Sequence, residues 1–478
     1  MQIKLFNTLT HKEEILTTLE SGHLKMYVCG PTVYDRPHIG NARSAVIYDL
    51  LFRFARVVFP KVTYVRNITD VDDKINKAAK EQKISIQELT KTITDFFYAD
   101  IGALNVLRPT YEPRATEHIA EIITMIEQLI TNKNAYVNQG HVLFDVSSYK
   151  DYGKLANRQL DEMIAGSRIE VADYKNDPLD FVLWKPADDE DDISSVFESP
   201  WGKGRPGWHI ECSAMSSKYL GTDFDIHGGG ADLQFPHHEN EIAQSRCATP
   251  GSHYARFWVH NGFLTVNGEK MSKSLKNFIT VRDLLDQGVS GVTIRYLLLS
   301  AHYRKPLDFT QKALDDAKNS LEKFHEVAAS FEKGGVAQSV MEDFNDKNSE
   351  LVETKSPDAA RHPLFQRGQV PQKIFDYLAD DLNMSKVIAE LHQMAKKGEK
   401  AELAATLDFL GLYDAKFLAR EVKNLSVDEN FINEQIALRI KAKQEKNFAK
   451  ADEIRKSLLE KGIALEDVSG GKTIWKQQ

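Results

Sequence analysis

The stretch MYVCGPTVYDRPHIGN, residues 26–41, decides the fold of this 478-residue chain. Its first four residues are apolar or aromatic and predict a buried strand, which breaks at Gly30 and Pro31. Apolar side chains then recur at helical spacing over residues 42–58, and residues 61–69 predict a second strand. This order is a βαβ unit, which predicts a parallel sheet whose functional edge lies at the carboxyl ends of its strands.

The composition is that of a soluble protein with several domains. A chain of 478 residues exceeds one hydrophobic core, and 42% hydrophobic with 27% charged residues is typical of neither membrane nor disordered proteins. Its apolar runs are too short for a signal peptide or a membrane span. Three cysteines are too few for a disulfide framework, so we expect a cytoplasmic protein with free thiols.

The net charge of −8 is unevenly distributed along the chain. Residues 430–478 contain ten Lys or Arg and seven Asp or Glu, so this tail is basic while the remainder is acidic. A basic tail is typical either of a nucleic-acid docking surface or of a solvated helical face.

Periodicity outside the βαβ unit predicts further strands and helices, an insertion at about residues 115–205 and a polar linker at residues 333–371. We therefore expect an α/β fold: a Rossmann-like parallel sheet with an insertion, then a helical bundle and a small C-terminal α+β domain. The predicted strands are residues 141–146, 181–184, 208–212, 222–227 and 256–260, with a pair at 465–467 and 473–475, and the predicted helices are residues 86–101, 115–132, 373–418, 433–446 and 449–461.

Two distant segments supply the groups that a nucleoside triphosphate requires. A helix beginning near Gly40, after the turn at Gly30, offers amides and a dipole to phosphate, with His38 and Asn41 as side-chain donors and Gly40 leaving room for the nucleotide. The loop Lys270-Met271-Ser272-Lys273-Ser274 adds two ammonium groups that can close over pyrophosphate. Either segment alone is more often a turn or a surface loop, but together they indicate ATP binding.

Cysteine, histidine and acidic residues also indicate a metal site. Cys29 and Cys212 both stand beside predicted sheet-edge turns, although nothing in their spacing is a finger motif. In residues 236–241, helical spacing would place His237 and Glu241 on one face. Two thiolates, an imidazole and a carboxylate suit zinc, but buried free cysteines are also common as small core residues. His238 is expected to point elsewhere, and Cys247 is expected to be structural.

At these residues the chain resembles the class I aminoacyl-tRNA synthetases. His38-Ile39-Gly40-Asn41 and the Lys270 loop are similar to that family's two signatures, with Asn41 where the family usually has His. Asn can donate a hydrogen bond but carries no charge. Five further segments are similar to the cysteinyl-tRNA synthetase family: CGPTVYD at 29–35, TDVDDK at 69–74, GWHIECSAM at 207–215, FPHHENE at 235–241 and DDLN at 380–383.

This resemblance implies one zinc ion per chain at the base of a cysteine pocket. Thr69 and Trp208 match positions that line the pocket, and His227 is a further candidate; core packing would also explain Trp208. Cysteine and serine differ by one atom, and an apolar pocket gains only about 1–3 kcal/mol from such a difference, whereas a metal–thiolate bond separates them. The positions that match the zinc ligands are Cys29, Cys212, His237 and Glu241.

The activity implied is formation of cysteinyl-adenylate from L-cysteine and Mg²⁺-ATP, followed by transfer to the 3′ end of tRNA(Cys). His38 and Asn41 would hold phosphate, and Lys270 and Lys273 would stabilise the transition state. We expect a cytoplasmic monomer without a membrane partner. The domains implied are residues 1–310 (catalytic, with a signature-loop region at about 250–310), 311–420 (helical, tRNA-binding) and 425–478 (anticodon-binding).

The basic tail contains candidate contacts to the anticodon. Phe448 lies between two lysines, where an aromatic ring can stack on a base, and Asp452 and Asp467 would contact base edges. Packing within a helical hairpin is an equal alternative for Phe448. Three rival functions remain: a ligase that transfers cysteine to an amino-sugar, a synthetase for another amino acid, and a non-catalytic RNA-binding paralogue. The basic C-terminal tail argues against the amino-sugar ligase. The set of Cys, His and Glu residues argues against a synthetase for another amino acid. The two signatures argue against a non-catalytic paralogue.

Overall fold

The computed structural model describes residues 1–157, 172–188, 192–272, 275, 277–332, 370–414, 429–445, 447–460, 463–468 and 472–477. The predicted linker, apart from its last two residues, and Lys273 of the signature loop lie outside the described residues. The chain forms two compact units, Met1–Tyr413 and Asp414–Gln478. In the part of the chain that is described, every helix is too short or too polar to cross a bilayer.

The strands are β1 (Lys4–Asn7), β2 (Lys12–Ile15), β3 (His23–Val28), β4 (Lys61–Arg66), β5 (Ala135–Asn138), β6 (His141–Phe144), β7 (Phe181–Pro186), β8 (Gly204–Pro206), β9 (Asp223–Gly230), β10 (Tyr254–Asn261), β11 (Leu264–Val266), β12 (Glu269–Lys270), β13 (Leu307–Phe309), β14 (Ile463–Val468) and β15 (Lys472–Gln477). The α-helices are α1 (Ile39–Val58), α2 (Asp73–Gln82), α3 (Ile86–Ala103), α4 (Ile119–Thr131), α5 (Trp208–Leu220), α6 (Glu239–Ala248), α7 (Val281–Asp286), α8 (Gly291–Leu299), α9 (Gln311–Glu332), α10 (Gln372–Ala379), α11 (Met384–Lys397), α12 (Lys400–Phe409), α13 (Glu429–Gln444) and α14 (Phe448–Glu460).

The central sheet confirms the predicted βαβ unit. Its strands lie in the order β10-β9-β3-β4, and each neighbouring pair is parallel. Helix α1 connects β3 to β4, and its side chains Val46, Leu50 and Phe54 are buried in the main hydrophobic core. Because the strands are parallel, their carboxyl ends meet at one edge of the sheet, where residues after β3, β4 and β9 come together.

The insertion forms an antiparallel sheet in the order β5-β6-β7-β8, packed with α4. The strand predicted at residues 208–212 is wrong, because these residues begin helix α5 after Gly207. Ile210 and Ala214 are buried four positions apart, which is helical spacing that a five-residue window cannot distinguish from a strand. The strand predicted at residues 222–227 is observed as β9, which continues through three glycines to Gly230.

Two buried ionic groups tie helix α1 to later parts of the first unit. Arg43 donates to the backbone oxygens of Gly262 at 2.7 Å and Lys305 at 2.6 Å, which fixes the loops beside β11 and β13. Asp49 accepts from Arg53 Nε at 2.7 Å and pairs with Arg295 of helix α8. A three-stranded sheet in the order β12-β11-β13 thereby holds the signature loop next to α1.

The helical region, α8 to α12, shares the main hydrophobic core with α1 through residues such as Leu321, Phe324 and Leu391. Asp381 joins this region to strand β1, because its carboxylate accepts from Phe6 N at 2.9 Å and from the Tyr303 hydroxyl at 2.6 Å. The second unit packs α13 and α14 against the antiparallel pair β14-β15. The predicted Rossmann-like sheet, helical bundle and small α+β domain are therefore confirmed, while the domain boundaries stay a prediction.

Candidate active site and metal centre

Four elements deliver the predicted metal ligands to the carboxyl edge of the central sheet. Cys29 follows β3, and its backbone N–H donates to Gly228 O at 3.2 Å, which holds it against β9. Cys212 projects from α5, His237 from the turn that leads into α6, and Glu241 from the first turn of α6 itself. The sequence positions are up to 212 residues apart, so only the fold brings these side chains together.

The ligand atoms of these four residues lie within 4.8 Å of one another. Cys29 Sγ is 3.6 Å from Cys212 Sγ and 3.4 Å from Glu241 Oε1, and His237 Nε2 is 3.1 Å from the same carboxylate oxygen. Cys212, His237 and Glu241 are at most 1% exposed. Sulfur, nitrogen and oxygen donors converging in a buried space are the donor set of a borderline-soft metal ion.

The electrostatics of the cluster fit such an ion. Burial raises the pKa of the Cys29 thiol well above its ordinary value, whereas the hydrogen bond from Cys29 lowers the pKa of Cys212 to about 6. Burial opposes ionisation of Glu241, but the charges of His227 and His237 hold its pKa well below the usual range. His237 Nε2 is buried and lies 3.1 Å from Glu241 Oε1, so it faces the other candidate ligands.

A second set of four residues shares Cys29 and Glu241 with the first and adds His227 and His238. The expectation that His238 points elsewhere is wrong, because His238 Nε2 lies 3.4 Å from Cys29 Sγ. Residues Gln234–His238 form a π-helical turn in which Phe235 has φ −142° and ψ 132°, so ordinary helical spacing does not apply there. His227 Nε2 is already bonded to Glu241 Oε2 at 2.9 Å, so the first set is the freer to bind an ion.

The predicted pocket residues surround this cluster. The Trp208 ring stacks on His237 with centroids 4.1 Å apart, and Trp208 is 37% exposed, so it is not a core residue. Thr69 is buried, and its hydroxyl donates to Glu211 Oε2 at 3.1 Å. His227 is fully buried and bonds Glu241. Trp208 and His227 therefore contact candidate metal ligands, whereas Thr69 contacts Glu211, the residue before Cys212. Their role as a cysteine pocket stays a prediction.

The start of helix α1 is closed by a capping box. His38 Nδ1 accepts from the backbone N–H groups of Gly40 at 3.1 Å and Asn41 at 3.2 Å, while Asn41 Oδ1 accepts from His38 N at 3.2 Å. The amide of Ile39 donates to Ile279 O at 3.0 Å. The first amides of α1 are thus already bonded, which corrects the expectation that they are free for phosphate.

The capping box determines which hydrogen-bond donors at the start of α1 can still contact a ligand. Because Nδ1 of His38 accepts two hydrogen bonds, the proton of the neutral ring is on Nε2. Burial lowers the pKa of His38 below its ordinary value, which favours that neutral ring. Because Asn41 Oδ1 accepts, its Nδ2 is the side-chain atom that can donate. Within the described residues, His38 Nε2–H and Asn41 Nδ2, rather than the first backbone amides, are therefore the groups that can contact an anion.

Gly30 and Gly40 both stand where a side chain would clash with neighbouring atoms. A Cβ on Gly40 would lie 2.9 Å from both Cε1 and Nδ1 of His38, so the histidine ring occupies the space that was expected for the nucleotide. A Cβ on Gly30 would lie 1.6 Å from the backbone oxygen of Asn67. Gly30 N also donates to Asn67 Oδ1 at 2.8 Å, so Gly30 is required by the packing of β3 against the residues after β4.

The two signature segments are adjacent in space. The His38 ring packs edge-on against Phe278 with centroids 5.4 Å apart, and His38 bridges Thr280 through the backbone. Lys270 ends β12 with its side chain exposed, and Lys270 O accepts from Asn277 Nδ2 at 3.2 Å. Residues 278–280, which follow the signature loop, thus pack against the start of α1. Lys273 lies outside the described residues, and the pairing of the two signatures around a nucleotide stays a prediction.

In the second unit, the candidate anticodon contacts lie on α14 and β14. Phe448, the first residue of α14, is 63% exposed, and Asp452 is exposed on the same helix. Hairpin packing therefore does not explain Phe448. Asp467 lies on β14, and its side chain is outside the described atoms.

Sequence reasoning missed several residues that complete the site. Asn67 and Glu211 form a chain through Thr69, in which Asn67 Nδ2 donates to Thr69 Oγ1 at 3.2 Å. Tyr254 donates to Glu241 Oε2 at 2.8 Å. The signal for these residues is a polar group within an apolar run, such as Glu211 in the buried turn of α5, but such a signal does not identify a partner.

A protein-family model described as the catalytic domain of class I tRNA synthetases (C) matches residues 15–319. Curated relatives match the whole chain. The cysteine–tRNA ligase of Rickettsia prowazekii (strain Madrid E) is 49% identical, with 100% of each chain covered. The cysteine–tRNA ligase of Wolbachia pipientis wMel is 46% identical, covering 99% of this chain and 100% of the relative.

Solved structures show the same fold. Methionyl-tRNA synthetase from Mycobacterium tuberculosis, in complex with methionyl-adenylate, superposes with a TM-score of 0.54 at 16% identity, covering 82% of this chain and 90% of that chain. At this identity the likeness concerns the architecture of the sheet and helices alone.

Proposed function

Because this chain belongs to the class I cysteine–tRNA ligase family, we propose that it joins cysteine to tRNA(Cys) and recognises the amino acid at a zinc site. In the first step the cysteine carboxylate attacks the α-phosphate of ATP, and the bond to pyrophosphate breaks. In the second step a terminal ribose hydroxyl of the tRNA attacks the activated carbonyl, and AMP leaves.

The convergence of Cys29, Cys212, His237 and Glu241 within 4.8 Å carries the zinc proposal. These four residues would hold zinc, which would supply a Lewis acid that stabilises the substrate thiol as a thiolate; serine would gain little from it, because its hydroxyl ionises far less readily. The Trp208 ring is stacked on His237 and is partly exposed, so it can contact a small substrate bound beside the cluster. Thr69 offers its oxygen to the substrate, since its proton is committed to Glu211.

His38 and Asn41 would hold the phosphates during the displacement. The capping box leaves His38 Nε2–H and the Asn41 amide as donors in fixed orientations, so no reorganisation is needed when negative charge develops. This explains why an uncharged Asn suffices at position 41. Lys270 and Lys273 would add positive charge over the leaving pyrophosphate, which Mg²⁺ accompanies.

Transfer to tRNA is favoured over transfer to an amino-sugar by the extent of the similarity. The cysteine–tRNA ligases match 99–100% of this chain, including the basic C-terminal unit. Phe448 on that unit is exposed and available for stacking on a base, with Asp452 and Asp467 as further candidate contacts. We further propose that the enzyme acts as a cytoplasmic monomer.

The proposal is tested by cysteine-dependent ATP–pyrophosphate exchange, followed by transfer to tRNA or to an amino-sugar. We expect exchange with cysteine but not serine, its loss after prolonged chelation, its recovery with zinc, and transfer to tRNA(Cys) alone. C212S should lose zinc and raise the KM for cysteine, whereas C247S, which changes a half-buried thiol outside the cluster, should do neither. Full exchange by metal-free enzyme would remove zinc from the mechanism.

A further inference from the structure

The two oxygens of the Glu241 carboxylate have different surroundings. Oε1 faces the ligand cluster, 3.4 Å from Cys29 Sγ and 3.1 Å from His237 Nε2. Oε2 is bonded to the protein on the other side: the Tyr254 hydroxyl lies at 2.8 Å and His227 Nε2 at 2.9 Å. A carboxylate that binds a metal can only accept hydrogen bonds, so Tyr254 and His227 are the donors.

The Tyr254 hydroxyl is held in place from its other side. Ser216 Oγ of helix α5 lies 2.9 Å from it, and the Tyr254 ring packs edge-on against Phe224 with centroids 5.1 Å apart. Tyr254 is fully buried, so water does not compete with Glu241 for the hydrogen bond from its hydroxyl. Its one proton is therefore directed at Glu241 Oε2.

Tyr254 also has an unusual backbone. It begins β10 with φ +68°, in the left-handed region that a bulky aromatic residue rarely adopts. Such strained residues persist where the surrounding structure holds them, commonly at functional sites. At Tyr254 the strained backbone coincides with a side chain that bonds a predicted metal ligand.

We propose that Tyr254, together with His227, is a positioning residue that commits Glu241 Oε2 to the protein and presents Oε1 alone to the metal. This inference rests on the proposed zinc site. Partners that bond a metal ligand in this way fix its orientation, and their loss typically weakens metal binding by about 10–100-fold. With Oε2 released, Glu241 can rotate away from Cys29 or turn both oxygens toward the ion, and the site loses its single geometry.

The test is the zinc affinity of full-length Y254F, measured by competition with a chromophoric chelator. Y254F keeps the ring packing against Phe224 and removes one oxygen. We expect zinc binding about 10-fold or more weaker, a changed visible spectrum of the cobalt-substituted protein, and a raised KM for cysteine. The matched control is Y64F, which removes a buried hydroxyl from β4 on the opposite edge of the sheet and should leave zinc affinity unchanged.

A second variant, H227F, removes the other bond to Oε2 while keeping a ring against Trp258, on which His227 stacks with centroids 4.5 Å apart. It should weaken zinc binding to a similar extent, so the inference stays testable if Y254F does not fold. Wild-type zinc affinity and cobalt spectra in the folded variants would overturn the positioning role. A wild-type enzyme that binds no zinc would instead overturn the proposed function.

Discussion

Substituting Gly40 by alanine separates the stability of helix α1 from its role in catalysis. The added Cβ would lie 2.9 Å from two atoms of the His38 ring, so the ring must move and its cap on Gly40 N and Asn41 N is disturbed. Losing that cap costs about 0.5–2 kcal/mol. Replacing a helical glycine by alanine returns about 0.5–1 kcal/mol. The net change in the free energy of unfolding should therefore stay within about 1.5 kcal/mol.

Catalysis should respond far more strongly to the same change. A displaced His38 no longer aims Nε2–H at the phosphate, and removal of one such donor costs about 10²–10³-fold in kcat. We expect G40A to lose this much kcat in ATP–pyrophosphate exchange, while urea denaturation shows near-wild-type stability. The assay also separates two roles of Gly40, because a methyl group that merely blocked the nucleotide would raise the KM for ATP and spare kcat.

The matched control is G102A in helix α3, where an added Cβ meets nothing within 4 Å. It should stabilise the protein by about 0.5–1 kcal/mol and leave exchange unchanged. A wild-type kcat in G40A would refute the claim that catalysis requires the His38 ring in its capping position over Gly40.

Three further predictions concern the same helix. D49N should lower the free energy of unfolding by about 3–5 kcal/mol in urea titrations, because it leaves the buried guanidinium groups of Arg53 and Arg295 without a counter-charge; wild-type stability would contradict this. N41D keeps the oxygen that caps His38 but loses the donor, so it should retain stability while exchange falls about 10²–10³-fold, whereas N41A should lose both. Burial lowers the pKa of His38 below its unfolded value, so the folded state binds fewer protons than the unfolded state. His38 therefore has no such effect on stability above a pH of about 6.5 and lowers the free energy of unfolding increasingly as the pH falls below it. The stability of H38N should depend less on pH over that range.

The sequence predicts most of the architecture because hydrophobic periodicity is local. The βαβ unit over residues 26–69, the parallel sheet and the C-terminal helix pair all follow from spacing that one element determines by itself. The error at residues 208–212 has the same origin. Five residues of mixed polarity fit a strand as well as a helix, because residues four apart, such as Ile210 and Ala214, share one face of either element.

The sequence predicts which residues form the candidate site but not which neighbouring groups they contact. The residues Cys29, Cys212, His237 and Glu241 were expected together, and the fold brings them together. Which groups bond them was beyond prediction, because Tyr254 and His238 reach the cluster through a left-handed backbone and a π-helical turn that no spacing rule describes.

The central claim is that the enzyme binds cysteine through its sulfur at the Cys29 and Cys212 cluster. X-ray absorption of the zinc-loaded enzyme counts sulfur atoms bound to the metal. With no substrate we expect two sulfur ligands, from Cys29 and Cys212; we expect one more when cysteine is added and no change with serine. An unchanged sulfur count at saturating cysteine, in enzyme that still catalyses exchange, would contradict it.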